Sequence, residues 1–283
     1  MCRVVDAHHH VWAEPGLDRY PWMAGNEMEP LRRRFGFAEL KPQMAAAGID
    51  ATVVVQARTD LEETHALLAL ARAAPAVAGV VGWVDLTDGR TGETLARLRE
   101  RPGGEKLVGV RHPAHDEPDP DWLARPDVLR GAEEVAEAGL AMDLLVRTRE
   151  LPAALRLVRA LPGLTCVVDH LAKPPLATGD LTGWRRRMAP LAEQPHVTCK
   201  LSGLVTEARW DAWRMEELAA CVEDALAWFG PERLLFGTDW PVCTLAATHA
   251  EVVRAYRATI AHLAPGERAQ VMGGTAARVY RLG

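Results

Sequence analysis

The chain has 283 residues, is 48% hydrophobic and 25% charged, and carries a formal net charge of −5. That is ample for one large core, while the acid excess and the lack of a basic stripe exclude a nucleic-acid reader. No apolar run approaches the roughly 18 residues of a membrane helix, and no charged leader with a long apolar stretch opens the chain. Five cysteines, Cys2, Cys166, Cys199, Cys221 and Cys243, are scattered without Cys-x-x-Cys spacing. They read as reduced thiols of a cytoplasmic protein, not as a disulfide frame or a structural zinc site.

In chain order, the first predicted strand is Arg3–His8 (RVVDAH), which runs into His9, His10 and Trp12. Ala13–Phe37, rich in Pro, Gly, Trp and charge, reads as a long loop over the end of that strand. A helix then stops at Gly48, ahead of a second strand at Ala51–Ala57. Asp60 and Glu63 have the spacing of a capping box before the next helix. The third and fourth strands are Ala78–Leu86 and Leu107–His112, and His112–Pro126, with four prolines, is a second long loop. Val128, Leu129, Ala132, Val135 and Ala136 give a helical stripe ending at Gly139. Strands five to seven follow at Leu140–Val146, Leu164–His170 and His196–Gly203. Met215, Leu218, Ala219, Val222, Ala225, Leu226 and Phe229 recur at helical spacing and stop at Gly230-Pro231. The eighth strand is Arg233–Trp240, and Pro265–Leu282 reads as a closing helix interrupted by Gly273 and Gly274.

Near-continuous apolar strands alternating with helices predict an α/β protein: a single (β/α)8 TIM-barrel domain over residues 1–283. A doubly wound open sheet would place a Gly-rich turn after the first strand, where this chain has histidines.

In such a barrel, chemistry gathers at the C-terminal strand ends. There stand His8 and His10, Arg111 and His112, Asp169 and His170, and Asp239. Period-two alternation puts His8 and His10 on one face with His9 opposite, and Asp6 one step below His8. Leu235, Gly237 and Asp239 share a face, as do Cys166, Val168 and His170, a set that suits the barrel interior. Closure would bring Asp239 beside the histidine pair. Each feature alone has an ordinary reading as a core histidine, a turn aspartate or a solvated strand end. Their joint placement points to a site.

With those residues in view, the sequence resembles the amidohydrolase superfamily, within it the amidohydrolase-2 group of sugar-lactone and pyrone-dicarboxylate lactonases. The resemblance runs nearly end to end through DAHHHVW, GWVDL, GVRH, MDLLV, VDHLAKP, CKLSGL, FGTDWPV and MGGTAARVYRL. It departs at His9, where the group often has Gln, and at Thr275, where Asn is common. Binuclear relatives carry a bridging Lys or Glu on strand four. This chain has Arg111 there and its lysine, Lys200, on strand seven, which disfavours a two-metal site. The resemblance implies hydrolysis of a lactone ring with Asp239 as general base, and Arg111 and His170 polarising the carbonyl. It implies either no metal or one divalent ion, zinc, held by His8, His10, His170 and Asp239. Trp12 and Trp240 are candidates for a sugar-stacking wall, with Asp143 and Gln56 for substrate hydroxyls. The expected partner is a small-molecule lactone, with no nucleic acid or membrane, and a homo-oligomer is compatible with the sequence. A zinc-dependent non-oxidative decarboxylase and a catalytically inactive barrel are the alternatives.

Overall fold

Each of the eight β-branched runs forms a strand in the computed structural model, which describes residues 3–13 and 16–283. Cys2, one of the thiols considered above, lies outside the described residues. The strands are β1 (Val5–His9), β2 (Ala51–Val55), β3 (Val77–Gly82), β4 (Leu107–His112), β5 (Ala141–Leu144), β6 (Thr165–Val168), β7 (Val197–Leu201) and β8 (Leu234–Phe236). They make one parallel sheet in sequence order. Strand β8 returns to β1 through a parallel bridge between His9 and Trp240. The Asp239 and His10 amides there donate to the His8 and Trp240 carbonyls at 2.8 and 2.7 Å. Covering helices include α1 (Phe37–Ala47), α2 (Leu61–Ala73), α3 (Thr91–Glu100), α4 (Pro126–Glu137), α5 (Leu151–Ala160) and α6 (Thr182–Ala192). The remainder are α7 (Leu204–Glu207), α8 (Met215–Phe229), α9 (His249–Thr259), α10 (Pro265–Ala269) and α11 (Thr275–Val279). Among the described residues no helix is long and apolar enough to cross a membrane.

Two apolar clusters result from the alternation of side chains along the strands. A large one lies between strands and helices, and a smaller one with Val5, Ala7, Val53, Val81, Val167 and Leu235 fills the barrel. Tyr280, just after α11, closes the inner cluster from below. Cys166, Cys199, Cys221 and Cys243 are buried free thiols.

Strand β1 departs from simple alternation. Asp6 pairs with Thr52 but His9 pairs with Val54, so β1 carries one extra residue. This bulge corrects the expectation that Asp6 shares the His8 face. Val5 and Ala7 face inward, and after the bulge His8 and His10 do so instead. The Asp6 carboxylate accepts from the His8 amide at 3.1 Å and, across the seam, from the Thr238 amide and hydroxyl at 2.9 and 2.6 Å. It thereby joins β1 to β8 where the ladder is interrupted.

One further expectation is corrected. Asp60 caps α2 by accepting from the Glu63 amide at 2.8 Å. The Glu63 side chain does not reach back. It accepts instead from the Ala57 and Arg58 amides at 2.8 and 2.7 Å, so the capping box is half formed. The closing helix is broken into α10 and α11 by a π-type stretch at Gln270–Gly274, which contains both predicted glycines.

Candidate active site

The C-terminal strand ends open into a cavity of about 590 Å³ whose floor carries His10, Arg111, His170 and Asp239. That volume lies in the range of small-molecule sites. The two long loops form much of its wall. Pro21, Trp22 and Met28 come from the first, and His115, Asp116 and Glu117 from the second.

The predicted histidine pair converges. His8 Nε2 and His10 Nε2 are 3.1 Å apart, and Asp239 Oδ1 lies 3.7 Å from the first and 3.5 Å from the second. His10 Nδ1 is 2.8 Å from the Val55 carbonyl, which can only accept. The Nδ1–H is therefore fixed there, and Nε2 presents its lone pair to the site. His170 shares a hydrogen bond with Ser202 Oγ at 2.8 Å through Nδ1, which leaves Nε2 for the cavity. His9 faces the other way and contacts Thr52 Oγ1 at 3.0 Å.

Local backbone explains how Asp169, His170 and Asp239 all turn inward. His170, Leu171, Ala172 and Lys173 have φ between 51 and 58°, and Asp239 has φ 58°. Such left-handed residues are uncommon outside glycine and collect at functional sites. Two glycines make room. A Cβ on Gly203, itself at φ +66°, would sit 2.5 Å from the His170 ring, and one on Gly237 would sit 2.8 Å from His8 Cβ. The expectation that Cys166 and Val168 line the interior beneath His170 is corrected. Val167 belongs to the inner cluster and Cys166 and Val168 to the outer one. Alternation therefore delivers Asp169 inward, and the left-handed turn brings His170 after it.

Beneath the floor lies a charge network. Arg111 Nη1 donates to Asp169 Oδ2 at 2.8 Å and stands 3.3 Å from His8 Nε2, while its Nη2 donates to the Gln56 carbonyl. The Lys200 ammonium pairs with Asp143, with Asp169 Oδ1 at 2.9 Å, and touches His8 Nδ1 at 3.1 Å. Tyr280 Oη bonds the Asp143 carboxylate at 2.8 and 2.9 Å. Burial alone would favour a neutral Asp169, but Lys200, His8 and Arg111 hold it well below the usual carboxylate range. Burial and the Lys200 charge push His8 well below the ordinary imidazole value, and burial takes His170 down to about 4. Both rings are thus neutral near pH 7. Burial also opposes ionisation of Asp239, yet the polar and charged groups around it, the Lys173 ammonium among them, outweigh it and keep its carboxyl lowered. A neutral-imidazole, ionised-carboxylate set has the lone pairs a divalent cation requires.

The donors fit such an ion. His8, His170 and Asp239 each offer a ligand atom within 4.8 Å of the other two, and His10 Nε2 adjoins two of them. Tetrahedral zinc with bonds near 2.0–2.2 Å needs donors about 3.3–3.5 Å apart, close to the separations around His10.

Of the other sequence candidates, Asp143, Trp12 and Trp240 are not at the cavity surface. Asp143 is fully buried, with its oxygens taken by Lys200 and Tyr280, so it is not open to a substrate hydroxyl. Gln56 does line the cavity. Trp12 and Trp240 pack on either side of Phe35, each with ring centroids 5.5 Å from it, and the Trp12 indole donates to the Leu31 and Arg33 carbonyls. The indoles facing the cavity are Trp22 and Trp210, which lie on loop and helix-end segments without a periodic signal. Lys200 was not among the site candidates, although a lysine amid the apolar residues of VTCKL is a legible sign of a buried charge.

The sequence pattern of the family described as Amidohydrolase matches residues 5–282. The chain is 39% identical to an L-fucono-1,5-lactonase of Burkholderia ambifaria, over 98% of this chain and 95% of that one. It is 40% identical to an L-fucono-1,5-lactonase of Burkholderia multivorans, over 98% of this chain and 96% of the other. The crystal structure of an amidohydrolase from Burkholderia multivorans with bound Zn superposes with a TM-score of 0.94 at 38% identity, covering 99% of this chain and 100% of that chain.

Proposed function

This chain belongs to the amidohydrolase family, and on that premise we propose that it is a lactonase that opens the ring of a sugar-acid lactone, a 1,5-aldonolactone of the fuconate, rhamnonate or galactonate type. The observation that carries the reading is the Asp239 carboxylate on the cavity floor, 3.5 Å from His10 Nε2 and 3.7 Å from the buried His8 Nε2. The full-length likeness to the lactonases supports the substrate class and supports reading the chain as one amidohydrolase domain.

Asp239 is the general base. It takes a proton from water as the water oxygen bonds to the lactone carbonyl carbon. The ring C–O bond then breaks, and the proton passes from Asp239 to the departing ring oxygen to give the hydroxy acid. Arg111, fixed by Asp169 and Gln56, faces the carbonyl oxygen as negative charge builds on it, joined by His170 Nε2 where no ion takes that nitrogen's lone pair. His8, His10, His170 and Asp239 would hold one divalent ion, zinc by analogy with the zinc-bound relative, and such an ion would acidify water and polarise the carbonyl. Burial and fixed tautomers pre-orient these side chains, so little reorganisation accompanies the reaction. Four buried free thiols fit a cytoplasmic location.

The test is a panel of aldonolactones, simple esters, amides and phosphotriesters assayed by acid release, with metal content measured on the same sample. Turnover of aldonolactones above the other classes is expected. Efficient phosphotriester or amide hydrolysis without lactone opening would overturn the reading.

A further inference from the structure

The second wall loop carries a hydrogen-bonded relay. The Trp83 indole Nε1–H donates to His112 Nδ1 at 3.1 Å. An indole nitrogen can only donate, so Nδ1 holds a lone pair and the ring proton is on Nε2. That Nε2–H donates to Glu117 Oε1 at 2.8 Å. The His112 ring is itself clamped flat on Trp122, with centroids 4.0 Å apart and planes 13° apart. The Glu117 backbone carbonyl accepts from Arg149 at 2.7 Å. Side chain and main chain of Glu117 are therefore both fixed, and Glu117 lines the same cavity as Asp239.

Among the described residues, Glu117 is one of two wall carboxylates held by a histidine and not by a cation; the other is Asp116, 3.2 Å from His115 Nε2. Lining cations are mostly neutralised by carboxylates: Arg111 by Asp169, Lys173 by Glu207, Arg58 by Asp60 and Arg19 by Glu62. Glu117 Oε1 is held by a histidine that burial keeps neutral, and Oε2 has no partner among the described residues. A negatively charged acceptor so presented repels a ligand carboxylate and receives hydroxyl donors.

We propose that Glu117 is a specificity-determining residue that accepts hydroxyl hydrogens of a neutral polyhydroxylated lactone, with His112 and Trp83 as its positioning residues. The inference rests on the lactonase reading. The selected substrate class is an uncharged lactone bearing hydroxyls, in preference to an unsubstituted or a carboxylated ring. A rigid acceptor discriminates, because a ligand lacking the hydroxyl forfeits the charge-assisted hydrogen bond to Glu117.

The experiment measures kcat and KM of wild type, Glu117→Gln and Trp83→Phe on an aldono-1,5-lactone and on δ-valerolactone, which lacks hydroxyls, with thermal melts of each. The ratio of kcat/KM for the aldonolactone over that for δ-valerolactone should fall roughly ten- to a hundred-fold in Glu117→Gln, mainly through KM, as expected for a lost charge-assisted hydrogen bond. Trp83→Phe should move the ratio the same way by a smaller factor, because Glu117 remains but is less well held. An unchanged ratio in Glu117→Gln, with or without a lowered melting point, overturns the proposal and leaves the lactonase reading standing. Should Glu117→Gln fail to fold, the Trp83→Phe ratio decides in the same way. Wild-type protein that opens neither lactone overturns both.

Discussion

The inside of this barrel is made of two materials. Toward its base the strands contribute Val5, Ala7, Val53, Val81, Val167 and Leu235. Toward the mouth the same sheet contributes His8, Arg111, Asp143, Asp169, Lys200 and Asp239, all almost fully buried. The lower half stabilises by ordinary apolar burial. The upper half takes several charges out of water, and their mutual attraction roughly offsets the desolvation cost at best. Asp143 and Asp169 are held by the single Lys200 ammonium, with Arg111 assisting only Asp169. Such a network contributes orientation: Lys200 and Asp169 contact His8 Nδ1 and fix the ring that faces Asp239. The contrast separates what keeps the barrel folded from what holds the proposed catalytic groups in place.

Removing one member of the network should produce the largest stability change. Lys200→Met leaves two buried carboxylates short of a cation and should lose roughly 3–5 kcal/mol in urea unfolding. Adding Asp143→Leu to that variant should recover part of the loss. A Lys200→Met protein as stable as wild type would show that the network is solvated and would dissolve the contrast.

Glu63 sharpens the comparison as a buried carboxyl with no cation matched to it in this way. Burial raises its pKa to about 7, with the Arg58 and Ala57 amides opposing. A carboxyl raised on folding is most favourable below its unfolded value, near 4.5, and that advantage is lost as pH rises through 7. The stability of wild type relative to Glu63→Gln should therefore decline by roughly 3 kcal/mol between pH 4.5 and 8, read from paired denaturation curves. A pH-independent difference would show that Glu63 is ionised as easily in the folded as in the unfolded chain.

In the apolar half, Val167→Ala should cost about 2 kcal/mol through a small cavity, leaving KM unaltered. Denaturation and steady-state kinetics on one preparation check both. A large kinetic effect would mean the two halves are coupled more tightly than their contacts indicate. Smaller still is His9→Gln. Its side chain contacts Thr52 behind the site, so a loss of about 1 kcal/mol with turnover kept within about two-fold is expected from a thermal melt and an activity assay.

The strands and the mouth residues were legible because apolar period-two runs and the polar tips that end them are local signals. His8, His10, Arg111, His170 and Asp239 could be placed at one end of the barrel from their positions alone. The β1 bulge was not legible, since it depends on the Asp6 carboxylate meeting Thr238 more than two hundred residues away. Nor was the left-handed run from His170 to Lys173, because nothing in the identities His-Leu-Ala-Lys demands positive φ. Trp12 and Trp240 were misread for a related reason. Adjacency to a motif says nothing about which side of the strand end a large ring packs on, and Phe35, returning from a distant part of the loop, draws both into the core.

The central claim, that Asp239 is the base at the polar mouth, is tested most directly by Asp239→Asn on an aldono-1,5-lactone that the wild type opens. The substitution keeps shape and removes the proton acceptor. It should lower kcat by roughly 10²–10⁴-fold, while the melting temperature stays close to that of wild type because the side chain supports no apolar packing. An Asp239→Asn protein that is folded and opens the lactone at a near-normal rate would contradict the account.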